Sequence, residues 1–66
     1  MRILNAAEVG RCTNLSRVTI WRMERSGKFP PRVSISANRV GWREDEIEAW
    51  IESRPRVGGG EVEAAP

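Results

Sequence analysis

Apolar and polar positions along the chain change period as it proceeds. Arg2-Ile3-Leu4 reads as a short extended lead-in. Asn5 stands three residues before Glu8, the spacing of an N-cap and its capping-box partner, and Ala6, Ala7, Val9 and Gly10 follow. This predicts a first helix from about Ala6 to Cys12. Thr13-Asn14 is a turn signal, Leu15 is apolar, and Ser16 is a strong N-cap. A second helix is expected over Arg17 to Ser26, ended by Gly27. On that helix Ile20, Trp21 and Met23 form the expected buried arc. Arg17, Val18, Thr19, Arg22 and Ser26 fall outside it.

Pro30-Pro31 cannot continue a helix. Arg32-Val33-Ser34-Ile35-Ser36 alternates with period two, Ala37-Asn38-Arg39 contains a turn, and Val40-Gly41-Trp42 reads as the return strand. The pair is a hairpin with Asn38 and Arg39 at its tip. Arg43-Glu44-Asp45-Glu46 then places acids where a helix dipole favours them, and Ile47, Trp50 and Ile51 follow at helical spacing. A third helix is expected from about Glu44 to Ser53, with Pro55 just beyond it. The fold class is therefore small α+β, a winged helix-turn-helix of three helices and a β-hairpin wing over residues 1–54. Residues 55–66, with three consecutive glycines and a predominance of acidic over basic side chains, read as a disordered acidic tail.

Two short helices joined by a brief turn suit the major groove of a duplex. The second helix enters the groove and its amino-terminal residues reach base edges. Ala7 and Gly10 are small enough for the helices to cross closely. Ser16 at the cap leaves backbone N–H groups free for a phosphate. Arg17, Val18, Thr19 and Arg22 are the candidate contacts on the helix. Asn38 and Arg39 are the candidates on the wing, and Arg32 and Arg43 at the hairpin base are expected to clamp flanking phosphates. Arg17, Arg22 and Arg39 are expected on one side of the fold.

Charge sharpens this picture. The net +2 hides an asymmetry: residues 1–43 carry nine cations against two acids, whereas residues 44–66 carry two arginines against seven acids. Ten of the eleven cations are arginine, whose planar fork matches phosphate and guanine. A basic half attracts a polyanion while an acidic segment keeps the whole soluble.

The stretches Leu15-Ser16-Arg17-Val18-Thr19-Ile20-Trp21-Arg22, Gly27-Lys28-Phe29-Pro30, and Val40-Gly41-Trp42-Arg43-Glu44 leading into Ile47-Glu48-Ala49-Trp50-Ile51 carry a resemblance to a known family. They resemble the AlpA-type prophage regulators, which are similar to the excisionases and to the DNA-binding part of MerR-type regulators. The resemblance covers roughly residues 2–52. It implies a winged helix-turn-helix that binds double-stranded DNA sequence-specifically, as a transcriptional regulator, an excisionase (recombination directionality factor), or both. It implies a recognition helix over Arg17 to Ser26 and identifies Arg39 as the basic residue of the wing. Glu24 departs from the pattern, standing where such sequences usually have an apolar residue. The partners expected are duplex DNA, an integrase, and, because one module makes a small interface, further copies of the chain on repeated sites.

Other chemistries find little support. With 66 residues there is room for one domain and none for a second that senses a ligand. There is no histidine, and no glycine-rich phosphate loop or nucleophile–base motif. No catalytic residue, metal, cofactor or small-molecule ligand is therefore expected. Glu44, Asp45, Glu46, Glu48 and Glu52 are explained by the helix dipole and solubility. Cys12, alone in the chain, is expected to be a small half-buried apolar residue, as suits a reducing cytoplasm. Trp21, Trp42 and Trp50 are assigned to the core rather than to a stacking platform for single strands. Met1-Arg2-Ile3-Leu4 meets Glu8 too soon for a signal peptide, and no apolar run is long enough to cross a bilayer, so a cytoplasmic, nucleoid-associated protein is expected. The competing function is an adaptor that docks an integrase or polymerase subunit through the acidic third helix.

Overall fold

A computed structural model describes residues 1–57. The elements run β1 (Ile3–Leu4), α1 (Ala6–Thr13), α2 (Arg17–Arg25), β2 (Val33–Ser36), β3 (Arg39–Arg43) and α3 (Glu44–Glu52). This is the small α+β winged helix-turn-helix that the sequence pattern predicts. The reading of a disordered tail concerns residues that, from 58 on, lie outside the described ones.

The lead-in is more than a lead-in. β1 pairs antiparallel with β3, Ile3 opposite Arg43 and Leu4 opposite Trp42, so the sheet has three strands in the order β1-β3-β2. A two-stranded hairpin alone is marginal, and the third strand supplies part of what it packs on. Two further bonds tie the chain start to α3: the Glu44 N–H donates to the Arg2 carbonyl at 2.9 Å, and the Arg2 N–H donates to Glu44 Oε1 at 3.2 Å.

Local chemistry sets the helix ends. At α1 the capping box is complete: the Glu8 N–H donates to Asn5 Oδ1 at 2.8 Å, and the Asn5 N–H donates to Glu8 Oε1 at 2.9 Å. The helix closes at Asn14, whose φ of 61° is left-handed and whose N–H donates to the Gly10 carbonyl at 2.7 Å. Asparagine tolerates that region better than most residues. At α2, Gly27 takes φ 78°, while its N–H and that of Lys28 satisfy the carbonyls of Glu24 and Met23. That is the Schellman closure, and it turns the chain sharply toward Phe29.

Leu4, Val9, Ile20, Phe29, Trp42 and Ile47 form the core, flanked by Ala6, Leu15, Met23 and Trp50. The Trp42 indole N–H donates to the Pro30 carbonyl at 3.1 Å, and the Trp50 indole N–H donates to the Lys28 carbonyl at 2.9 Å. The two indoles thereby hold the Lys28–Pro30 segment, with Phe29 packed edge-on against Trp50 at 4.7 Å between centroids. Gly10 passes so close to the Leu15 carbonyl that a Cβ there would lie 3.2 Å from it. The close approach expected of Gly10 is thus present, whereas Ala7 is exposed and takes no part.

Several burial expectations need correction. Cys12 is exposed, because α1 turns the flank of Val9 that carries Ala6, Gly10 and Thr13 inward and Cys12 lies on the other flank. Trp21 is 46% exposed and is not part of the core. Ile51 also stays exposed at 38%, so α3 buries Ile47 and half-buries Trp50 alone of its expected stripe.

Candidate nucleic-acid interface

The orientation of α2 follows from three inward side chains. Ile20 is buried, and Met23 and Glu24 are half-buried. At about 100° per residue these centre the inner side of the helix, and Arg17, Trp21, Arg25, Val18 and Arg22 then span the outer arc in that angular order, about 140° wide. All five are exposed. The expected arc of Ile20, Trp21 and Met23 is therefore rotated. Glu24 replaces Trp21 as an inward residue, because its carboxylate has partners there. Glu24 Oε2 accepts the Arg32 N–H at 2.7 Å and Oε1 lies 3.2 Å from Arg32 Nε.

The amino end of α2 is built around Ser16. Its Oγ accepts the Thr19 N–H at 3.1 Å and donates to Thr19 Oγ1 at 3.0 Å. Thr19 is half-buried, so its hydroxyl belongs to the cap as well as to the surface. The first turn holds no acid, and Arg17 sits there although the helix dipole disfavours a cation at that end. A positive terminus left without a neutralising side chain is a preorganised place for an anion.

Arg17 and Val18 also line an open groove of about 320 Å³ with Ala6, Ile20, Trp21, Glu24, Arg32 and Trp42. Arg17 and Arg32 bring positive charge to it, and the aliphatic and indole groups make its walls largely apolar. Trp21 and Arg25 are the two surface residues that the sequence reading missed. The Arg25 guanidinium lies over the Trp21 ring at 4.5 Å from the centroid. Glu24, the residue at odds with the family pattern, was the available signal. Turning it inward toward Arg32 brings Trp21 and Arg25 onto the outer arc.

The wing side chains form a second group. The turn falls at Ala37 and Asn38, and Arg39 opens β3 opposite Ser36, across an irregularity between Ser34 and Ser36. Strand alternation gives Arg39, Gly41 and Arg43 one face of β3 and Trp42 the other. Arg39 thus shares a face of β3 with Gly41 and Arg43, opposite Trp42, which packs in the core with Ile20. Among the described residues no ion pair engages Arg17, Arg22, Arg25 or Arg39.

Arg32 and Arg43, by contrast, already have carboxylate partners. Arg43 donates from Nε and Nη2 to the two oxygens of Asp45, each at 3.2 Å. That hydrogen bonding holds the Asp45 carboxyl below its ordinary value and raises Arg43. The Glu8 carboxyl is likewise lowered, chiefly by the Asn5 backbone N–H and further by Arg2 at 2.7 Å. Among the described residues no group of histidine, cysteine or acidic side chains is placed to hold a metal, and no helix is long and apolar enough to cross a membrane.

A family model described as the prophage CP4-57 regulatory protein AlpA matches residues 2–55. The chain belongs to this prophage regulatory family. An uncharacterized protein, ORF88 of Enterobacteria phage P4, is 42% identical over 53 residues, covering 80% of this chain. The chain spans about 60% of that relative's length. AlpA-family membership makes this a member of a regulatory rather than an enzymatic family. The matched region takes in every element from β1 to α3, and with them the whole outer arc of α2.

Proposed function

We propose that this AlpA-family chain binds double-stranded DNA sequence-specifically, with α2 in the major groove, and acts as a phage or prophage transcriptional regulator or excisionase. One observation carries the reading. The exposed arc of α2 presents Arg17, Arg22 and Arg25 with no carboxylate partner among the described residues, beside an amino terminus that lacks acids. Arg17, Val18 and Arg22 reach base edges, and Thr19 supports them through the Ser16 cap. Asn38 and Arg39 on the wing meet phosphates beside the recognised groove, and Arg32 and Arg43 at its base do so on release from Glu24 and Asp45. A single module makes a small interface, so tight binding needs several copies on repeated sites. Binding DNA places the protein at the nucleoid.

Titration of a duplex from the gene's own upstream region tests this. Log affinity should fall linearly with log salt, with a slope of about −0.9 per phosphate neutralised and about four to six phosphates engaged. A flat salt response, or no binding at micromolar protein, would falsify the reading. Loss of the gene separates the two roles: a regulator changes integrase transcript level, whereas an excisionase changes the yield of excised junctions at constant transcript.

The adaptor reading has its own supporting feature, the exposed Glu48, Ile51 and Glu52 on α3. A partner such as an integrase docks there if reversing Glu48 and Glu52 to lysine abolishes capture while Arg17→Ala and Arg22→Ala leave it intact.

A further inference from the structure

The outer arc of α2 is not uniformly basic. Val18 is 56% exposed and Trp21 is 46% exposed, and both stand between Arg17 at one margin and Arg22 at the other. Single exposed apolar residues are ordinary. Here two lie one helical turn apart on the arc, and the guanidinium between them is drawn onto the indole face. The only acid of α2, Glu24, is turned away and committed to Arg32. The surface therefore offers an apolar spot inside an arginine frame.

A duplex offers the complement of that surface. Phosphates flank the major groove, and on its floor the apolar group is the C5 methyl of thymine. Val18 lies in the first turn of α2, the part of such a helix that reaches base edges. Its branched side chain has little rotamer freedom in a helix, so it presents its methyls without a large ordering cost. Trp21, fixed beneath Arg25, walls one side of the contact and keeps water from it.

We infer that Val18, backed by Trp21, reads the C5 methyl of a thymine within the recognised site. The inference rests on the proposed binding of duplex DNA by α2 and adds the base chemistry that the site must contain.

The test uses a duplex recovered from a random-sequence pool by repeated selection on the full chain. Each thymine is replaced in turn by deoxyuridine, which removes the methyl and keeps every hydrogen-bonding edge. At one thymine or more the intact protein should bind about fourfold more weakly, the loss expected for one buried methyl. Val18→Ala, at an exposed helical position that alanine suits, should bind the two versions equally. Equal binding of all deoxyuridine duplexes by the intact protein overturns the inference. So does a Val18→Ala protein that keeps the full penalty, or a pool that yields no shared sequence although binding persists and weakens with salt. Absence of any duplex binding is a different result, and it removes the reading beneath the inference together with it.

Discussion

Glu24 holds Arg32 twice, through the backbone N–H at 2.7 Å and through the guanidinium Nε at 3.2 Å. One carboxylate thus joins the inner side of α2 to the chain entering the wing, and it neutralises one exposed cation. Glu24→Gln keeps an acceptor for the backbone N–H and releases the guanidinium. The variant should bind non-specific duplex more tightly, with a salt slope steeper by about one phosphate contact. Fluorescence anisotropy over a salt series reads both quantities.

Arg22, exposed on α2, and Arg39, exposed at the start of β3, should fail differently when truncated. Arg22→Ala should cost about 1–3 kcal/mol on the selected site and relax base preference there. Arg39→Ala should weaken all duplexes alike and reduce the salt slope by about one. Identical behaviour of the two across a panel of sequences would contradict the division between reading and positioning.

Gly41 sits under two isoleucines. A Cβ at that position would lie 2.5 Å from Ile3 Cγ2, 2.9 Å from the Leu4 carbonyl oxygen and 3.1 Å from Ile35 Cδ1. The Leu4 carbonyl is backbone in the paired strand and cannot swing aside. Gly41→Ala should destabilise the fold by about 1–3 kcal/mol, as overpacking does. Adding Ile3→Ala should recover only part of the loss, because the carbonyl remains. Urea denaturation of the three proteins measures this.

Acid should loosen the amino-terminal helix and the start of α3. Glu8 and Asp45 both titrate below their ordinary values of 4.5 and 3.8 in the folded chain. A carboxyl depressed in this way stabilises the fold above its unfolded pKa and loses that contribution as pH falls through the folded one. The urea midpoint should therefore hold steady near neutrality and decline as pH drops toward and below 4.5. Glu8→Gln should start lower and decline less. A variant with the same acid response as the parent would show that the capping-box carboxylate plays no part.

Asn5→Ala removes the other half of that box. It should cost about 1 kcal/mol, which for a domain of this size lowers the melting temperature by about 4–8 °C. Circular dichroism during heating reads the shift.

Much of this was legible in the chain because local chemistry and final contacts agree. Asn5, Glu8, Ser16 and Gly27 each carry out at the helix ends what their side chains, or the lack of one, favour, and Pro30-Pro31 separates helix from hairpin. The Ser16 cap and the exposed Arg17, Val18 and Arg22 were visible for the same reason. What escaped depends on partners distant in sequence. Trp21 reads as core by hydrophobicity, and only the Glu24–Arg32 contact shows that the helix is rotated. The lead-in becomes a strand because β3, nearly forty residues on, offers it an edge. The face on which Arg39 projects follows from strand register, which the hairpin sequence alone does not set across the irregularity at Ser34–Ser36.

The three indoles end in three different surroundings: Trp42 enclosed, Trp50 partly covered and Trp21 open to solvent under a guanidinium. Each therefore emits at its own wavelength and differs in how readily a quencher reaches it. An added acrylamide reaches Trp21 first and Trp42 last. Occupation of the α2 surface acts most directly on Trp21, and collapse of the domain exposes Trp42. The molecule so carries, without any label, separate optical reporters for engagement and for folding.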